Sequence, residues 1–365
     1  MKDKRMHDGT KLLWHMDRVI SHFDNGERIA PLYIDMGISK FCNIGCVFCF
    51  GKYQTYEKKI IEREPLLRFV KEAGEVGVRG LVYIGDGEPT VNPHLYETLY
   101  TGKKAGLSQA VSTNGVLLDT EEKRKAILEN CEYMRFCFSA GTKEGYKKMH
   151  SVDKFDTAVR NIEALVNEKA RGNYKTDIGM QAVFVPTLMA DEMIEEAKLA
   201  VKLGVNYFVV KQCSLPDHGE SGMMQFDVND YNKPEIIEKL KTAESFSTDK
   251  TNVIVKWGTM DLSTKRRPYD GCLSVPLIWE ASGNGDCFPC GYFFGRKDGK
   301  YDEYKLGNLN ETGLKDMINS DKYWAVMEKM KTFDVHKDCH GQCRLDLTNK
   351  FVSDYLDKPM GVNFI

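Results

Sequence analysis

From about residue 80 to residue 212 the sequence alternates strand-like and helix-like runs. RGLVYIGDG reads as a strand entering a glycine turn, and PHLYETLYTGKKAG reads as a helix. LSQAVSTNG, EYMRFCFSAG, KTDIGMQAVFV and VNYFVVKQ are further strands. Between them lie the helical runs DTEEKRKAILENC, FDTAVRNIEALVNEKARG and ADEMIEEAKLAVKLG. Asp119 and Glu122 are spaced as an Asp-type capping box for the first of these helices, and a glycine ends the last. An earlier strand is expected in LYIDMGI, residues 32 to 38. Alternation this regular leaves few architectures open, because each helix must cross from one strand to a parallel neighbour. About six strands are expected by residue 212, in an α/β parallel sheet. Chemistry in such sheets gathers at the carboxyl ends of the strands. GDGEP, STNG, SAG and KQCS all fall there.

Beyond residue 213 the character changes. SLPDHGESGMMQFDVNDYNKP is polar and rich in turn formers, and a helix at 234 to 244 and a short strand, NVIVKWG, follow. From Tyr269 two short strands, LSVPLIWEA and CFPCGYFF, flank the turn SGNGD, and a helix at 323 to 331 leads to the last cysteine pair. The expected organisation is a core over 1–230, a linking helix and strand over 231–264, and a small cysteine-bearing domain with a C-terminal helix over 265–365.

The net charge of −2 argues against nucleic acid or an anionic membrane as partner, leaving a small molecule or a peptide. No apolar run follows the basic start MKDKRMHDGTKLLWHMDR, and no stretch approaches a membrane span, so the expected location is the cytoplasm. Thiols are kept reduced there, so eleven cysteines point to metal binding before disulfides. They fall into groups. Cys42, Cys46 and Cys49 form one; Cys272, Cys287, Cys290, Cys339 and Cys343 form another. Cys131, Cys137 and Cys213 stand alone, and the first two read as packing thiols.

Three cysteines spaced C-x3-C-x2-C at the end of a strand cannot satisfy a 4Fe–4S cluster, which needs one ligand per iron. One iron stays open, as one position stays open in a catalytic zinc site. With Phe48 just before the last cysteine, FCNIGCVFCF resembles the signature of the radical SAM superfamily. The resemblance implies a partial (β/α)6 parallel barrel. It also implies that the open iron chelates S-adenosylmethionine, whose reductive cleavage gives a 5′-deoxyadenosyl radical that takes hydrogen from the substrate. YIGDGEP resembles the family's GGEP segment, so Asp86, Gly87 and Glu88 are expected at the methionine amine, with Asp86 where glycine is more usual. By the same resemblance STNG, with Asn114, marks the third strand end, Ser139 the ribose position, and Gln181 and Lys211 polar contacts to the cofactor. An electron donor such as flavodoxin or ferredoxin is implied as partner.

The second group resembles the SPASM and twitch extensions of radical SAM enzymes. Twelve residues separate Cys272 from Gly285, and four more lead to Cys290. SPASM domains supply seven cysteines; five are present here, which favours the twitch form with one auxiliary 4Fe–4S cluster. The implied ligands are Cys272, Cys290, Cys339 and Cys343. Structural zinc is the rival occupant, since four thiols suit it equally. Cys287 is left as an alternative ligand, a bystander or a hydrogen-atom donor, and Cys213, at the end of the sixth strand, is a second candidate donor. The closing segments CRLDLTNKF and KPMGVNFI resemble enzymes acting on sugars and aminocyclitols. The expected reaction is therefore hydrogen abstraction from a carbohydrate-like or nucleotide-linked substrate, ending in oxidation, epimerisation or decarboxylation. A peptide-modifying maturase is the alternative.

Overall fold

The computed structural model describes residues 9–53, 57–213, 227–260, 267–295, 299, 301–339, 343–358 and 360–363. Ten strands form one sheet: β1 (Tyr33–Met36), β2 (Gly80–Tyr83), β3 (Ser108–Thr113), β4 (Tyr133–Cys137), β5 (Asp177–Phe184), β6 (Tyr207–Gln212), β7 (Asn252–Val255), β8 (Ile278–Ala281), β9 (Asp286–Phe288) and β10 (Gly307–Asn308). Their order is β10-β9-β8-β1-β2-β3-β4-β5-β6-β7. All pairs from β8 through β7 are parallel; β9 and β10 are antiparallel additions at one edge. The sheet does not close, so the barrel is partial, as expected. Two edges extend beyond the six expected strands. NVIV docks on β6 as β7, and β8, from the cysteine-bearing segment, pairs with β1.

The helices are α1 (Met16–Phe23), α2 (Arg63–Val76), α3 (Leu95–Lys104), α4 (Glu121–Asn130), α5 (Lys143–His150), α6 (Phe155–Gly172), α7 (Pro186–Leu203), α8 (Pro234–Glu244), α9 (Trp257–Met260), α10 (Leu314–Asn319), α11 (Asp321–Lys331) and α12 (Asp346–Leu356). Helix α6 shows why the pattern reads as it does. Its buried residues Ala158, Asn161, Ile162 and Leu165 repeat at helical spacing and lie on one face. Helix α7 opens on Pro186 at its first position and stops at Gly204, whose φ of 70° is costly for other residues. The cap of α4 differs from expectation by one residue. Thr120 is the N-cap and accepts the Lys123 amide, while Asp119 pairs with the Lys123 ammonium at 2.6 Å.

Alternation along β4 defines the two sides of the sheet. Met134 and Phe136 are buried in the hydrophobic core, whereas Tyr133, Arg135 and Cys137 are only half-buried. Those half-buried residues face a hollow. Tyr133 on β4 lies in the fields of Asp35 on β1 and of Arg344, and Arg135 lies near Tyr33 on β1 and Tyr207 on β6. Strands that are not neighbours in the sheet can meet in this way only if the sheet curls around a lumen.

Candidate active site

The first cysteine group sits on the loop leaving β1, at the carboxyl end of the sheet. Its base is closed by an antiparallel bridge between Ser39 and Ile60, with Lys40 N donating to Lys59 O at 2.9 Å and Ile61 N to Ile38 O at 3.1 Å. Asn92 Nδ2 holds the carbonyls of Ile38 and Ile61 together, at 2.8 and 2.9 Å. On its other side the loop is pinned to the end of α5: Gly45 N donates to His150 O and Val47 N to Met149 O, both at 2.9 Å. The three thiols lie within one another's fields. Burial pushes Cys42 up to about 12, with Glu88 and Cys49 adding to it. Burial, then Cys49 and Cys42, pushes Cys46 well above the usual thiol range. Thiols crowded like this resist ionising together unless a cation stabilises them, which is what bound iron does. The donor set therefore fits a cluster held by three thiolates with one iron open.

His150 was not anticipated. It is fully buried, its Nδ1 lies 3.0 Å from Cys46 Sγ and its Nε2 bonds Phe138 O. Burial holds its pKa down at about 4, so the ring is neutral near pH 7. Phe48 meets it edge-on, with centroids 5.8 Å apart.

The residues after β2 bind the site's loops together. Gly87 lies so close to the preceding loop that a Cβ would come within 2.3 Å of Ser39 O and 2.6 Å of Phe41 O. Glu88 is enclosed. Its Oε1 accepts from Thr90 N at 3.0 Å and Thr90 Oγ1 at 2.6 Å, and also from Thr113 Oγ1; its Oε2 accepts from Asn114 N at 2.8 Å. Burial nevertheless pushes its carboxyl upward. Asp86, expected at the methionine amine, points elsewhere. Its Oδ2 accepts from Ser282 Oγ at 2.5 Å and its Oδ1 from Gly283 N at 2.9 Å, in the β8–β9 turn. Lys40 Nζ lies 3.7 Å from it, and both side chains are 2% exposed. Gly283 fits only as glycine, since a Cβ would come within 2.0 Å of Ser39 C.

The remaining expected contacts divide. Asn114 Nδ2 reaches Asn43 Oδ1 at 2.7 Å and lies 4.0 Å from Cys42 Sγ, so it belongs to the cysteine loop. Ser139 is fully buried with φ 54°, and its Oγ accepts from Val183 N at 3.0 Å, tying β4 to β5. Gln181 is buried opposite Cys137. Lys211 faces the lumen beside Arg135, Cys137 and Cys213. Cys213 is buried, with Cys49 in its field and its amide bonded to Tyr231 Oη at 2.9 Å. Cys137, expected as a packing thiol, is half-buried on the lumen side, with Ser112 Oγ 3.3 Å away and Cys46 nearby. Cys131 is buried.

The structure brings Cys272, Cys290, Cys339 and Cys343 together. Cys272, pushed up to about 12 mainly by burial, feels Cys339; Cys290 feels Cys339 and Cys272; Cys343 shares a thiol hydrogen bond with Cys339 and feels the other two. Arg267 lies beside Cys339 and Cys343, and Asn349 Nδ2 is 3.9 Å from Cys272 Sγ. Among the described residues no three His, Cys, Asp or Glu side chains are placed to hold a single metal ion. Cys287 is apart from these four. It is wholly enclosed on β9, with Sγ 3.6 Å from Gly285 O, and Asp286 and Lys305 are its charged neighbours. Next to Cys343, Arg344 crosses into the lumen, where it pairs with Asp35 on β1 and with Glu280 on β8, the latter at 3.1 Å.

Residues 36–200 match the model of the radical SAM superfamily, and residues 281–344 match that of the SPASM iron–sulfur cluster-binding domain. The chain is a radical SAM enzyme with a SPASM domain. The enzyme uses a 4Fe–4S cluster and S-adenosylmethionine, with auxiliary iron–sulfur binding in the SPASM domain. The SPASM match bears out the SPASM-like side of the expectation and begins after Cys272. The enzyme is 24% identical over 303 residues to the tungsten-containing aldehyde ferredoxin oxidoreductase cofactor-modifying protein of Pyrococcus furiosus, covering 80% of this chain and 82% of that one. Its fold is similar to that of Streptococcus suis SuiB bound to precursor peptide SuiA, with a TM-score of 0.65, 16% identity, and coverage of 95% of this chain and 78% of that one. It is also similar to anSMEcpe with bound AdoMet and Kp18Cys peptide, with a TM-score of 0.59, 18% identity and 88% coverage of both chains. Among the described residues no helix is long and apolar enough to cross a membrane.

Proposed function

We propose that the enzyme modifies a peptide or protein substrate by hydrogen-atom abstraction, in place of the carbohydrate-like metabolite suggested by the closing segment. The observation that carries the reading is that residues adjoining both thiol sets reach the inner face of one curled sheet. Cys42, Cys46 and Cys49 stand at its mouth, and Arg344, adjoining the second set, enters its wall. When bound, the cluster and S-adenosylmethionine supply a one-electron reductive cleavage that leaves an oxidant able to take hydrogen from carbon. The chain's own part is to hold the three thiols on a loop fixed at both ends. Glu88 and Asn92 brace that loop, and the curled sheet limits access to the lumen. The fold likeness to two enzymes solved with peptides supports a peptide substrate over a sugar.

The test is anaerobic turnover of reconstituted enzyme with dithionite and S-adenosylmethionine, 5′-deoxyadenosine being measured by chromatography. A peptide pool should stimulate 5′-deoxyadenosine formation and yield a mass-shifted peptide; nucleotide sugars should not. Stimulation by nucleotide sugars alone would sink the peptide reading. Replacing Cys42, Cys46 and Cys49 by alanine should reduce cleavage to background, and undiminished cleavage would remove these thiols from the chemistry.

A further inference from the structure

The lumen holds two kinds of cation. Arg344 is matched by two carboxylates, Asp35 and Glu280. Arg135 is not. Its one hydrogen bond among the described residues is from Nε to Ser112 Oγ at 3.4 Å, and its titratable neighbours are phenols and a thiol: Tyr133, Cys137, Tyr207 and Tyr33. Lys211 likewise has no carboxylate partner among the described residues. Arg135 is the largest charged influence on it after burial itself, followed by Cys137 and Lys256. Two half-buried cations side by side repel each other, and the described residues that supply carboxylates to Arg344 supply none to this pair.

The register shows where the pair sits. Arg135 is opposite Gly179, which is opposite Tyr207; Lys211 is opposite Val183. Four residues of strand, about 13 Å, separate the two rungs, and Arg135 still lies within the field of Lys211. Arg135 lies two residues inside Cys137, the last residue of β4, and hence below the mouth where the cysteine loop holds the cofactor. A ligand meeting both cations is in the lumen itself.

We propose that Arg135 and Lys211 form an anion clamp that takes a carboxylate of the substrate. The guanidinium offers a planar fork that matches a carboxylate, and the ammonium adds a compact charge. On the reading of the lumen as the place of a peptide substrate, the group is an acidic side chain or a terminal carboxylate beside the carbon that loses hydrogen. This moves Lys211 from a cofactor contact, its expected role, to a substrate contact. Burial and Arg135 hold the Lys211 ammonium down at about 8, so its amine is open to acylation until an anion reaches it.

The clamp is tested in reconstituted holoenzyme with S-adenosylmethionine bound. Lys211 acetylation by trace acetic anhydride at pH 8 is read by mass spectrometry. Succinate should lower labelling of Lys211 at least tenfold at saturation, while succinamide, of the same shape and uncharged, should not. Arg135→Gln should raise the succinate concentration needed at least tenfold, and Arg135→Lys should restore most of the protection, which separates loss of charge from loss of fold. Four results would each overturn the clamp: no protection by succinate, equal protection by succinamide, protection unchanged in Arg135→Gln, or complete protection by S-adenosylmethionine alone. The last would assign the pair to the cofactor's own carboxylate. None of these depends on peptide turnover, so the clamp and the peptide reading fail separately.

Discussion

Asp86→Ala should be among the more destabilising single changes this enzyme can undergo, although it lies in a loop. Asp86 joins three segments: its own loop after β2, Lys40 at the base of the cysteine loop, and the β8–β9 turn of the SPASM side. Burial pushes its carboxyl upward, and the Ser282 hydroxyl, Lys40 and the Gly283 amide pull it back. Truncation leaves the Lys40 ammonium, which makes no hydrogen bond, buried without its counter-charge. Breaking a buried pair in this way costs about 3–5 kcal/mol. The stranded Gly283 amide adds roughly 1–3 kcal/mol. Against a typical total of about 5–15 kcal/mol, most of the stability is at stake. The cost should belong mainly to the orphaned charge, so adding Lys40→Met to Asp86→Ala should recover more than half of it. Denaturant unfolding of the anaerobic holoenzyme, followed by circular dichroism and by cluster absorption, measures both variants. A cost below about 1 kcal/mol, the range of exposed pairs, would refute the reasoning. So would a double variant no more stable than the single one.

Two further outcomes follow from buried groups. Cys290→Ser should lose auxiliary iron and destabilise the SPASM side, whereas Cys287→Ser should keep its full iron content, as read by iron analysis and Mössbauer spectra; the reverse result would exchange the two assignments. Glu196 on α7 is fully buried, and burial, then Glu192, pushes it well above the usual carboxylate range, against the Ser139 backbone amide, which pulls it back. The folded state therefore holds this proton more tightly than the unfolded state, so stability falls as pH rises from the ordinary carboxylate value through the raised one. Glu196→Gln should raise the melting temperature at pH 8 by a few degrees and change it little near pH 4; equal effects at both would exclude ionisation as the cause.

Much of the fold was legible because it rests on local periodicity. Helices α3, α4, α6 and α8 fall within the expected runs, as do β1 to β6, while α7 starts four residues before its expected run, at Pro186. Other elements were hidden for identifiable reasons. Helix α5, KEGYKKMH, is short and mostly polar, so its apolar face is only Tyr146 and Met149. CFPCGYFF was expected to be one strand. It breaks after Phe288, where Pro289 has no amide to donate, and turns at 291–293. The pairing of β8 with β1 joins segments far apart in sequence, and no local pattern encodes it.

The site divides along the same line. Ligand spacing is a local property, and it pointed to the two thiol sets that the fold brings together. Cys287 was already left over by the spacing; what the fold adds is its enclosure on β9. Asp86 makes the limit clearest. In a GDGEP segment its neighbours in sequence suggest a contact to the cofactor, but a short carboxylate takes the nearest available donors. The curl of the sheet places Lys40, Ser282 and Gly283 there. Arg135 and Lys211 belong to strands that read only as alternating and apolar, and nothing in their own segments shows that no carboxylate stands opposite. That no carboxylate answers them among the described residues is a property of the sheet as a whole. It emerges by comparison with Arg344, which comes from the far end of the chain and finds Asp35 and Glu280 waiting on two adjacent strands.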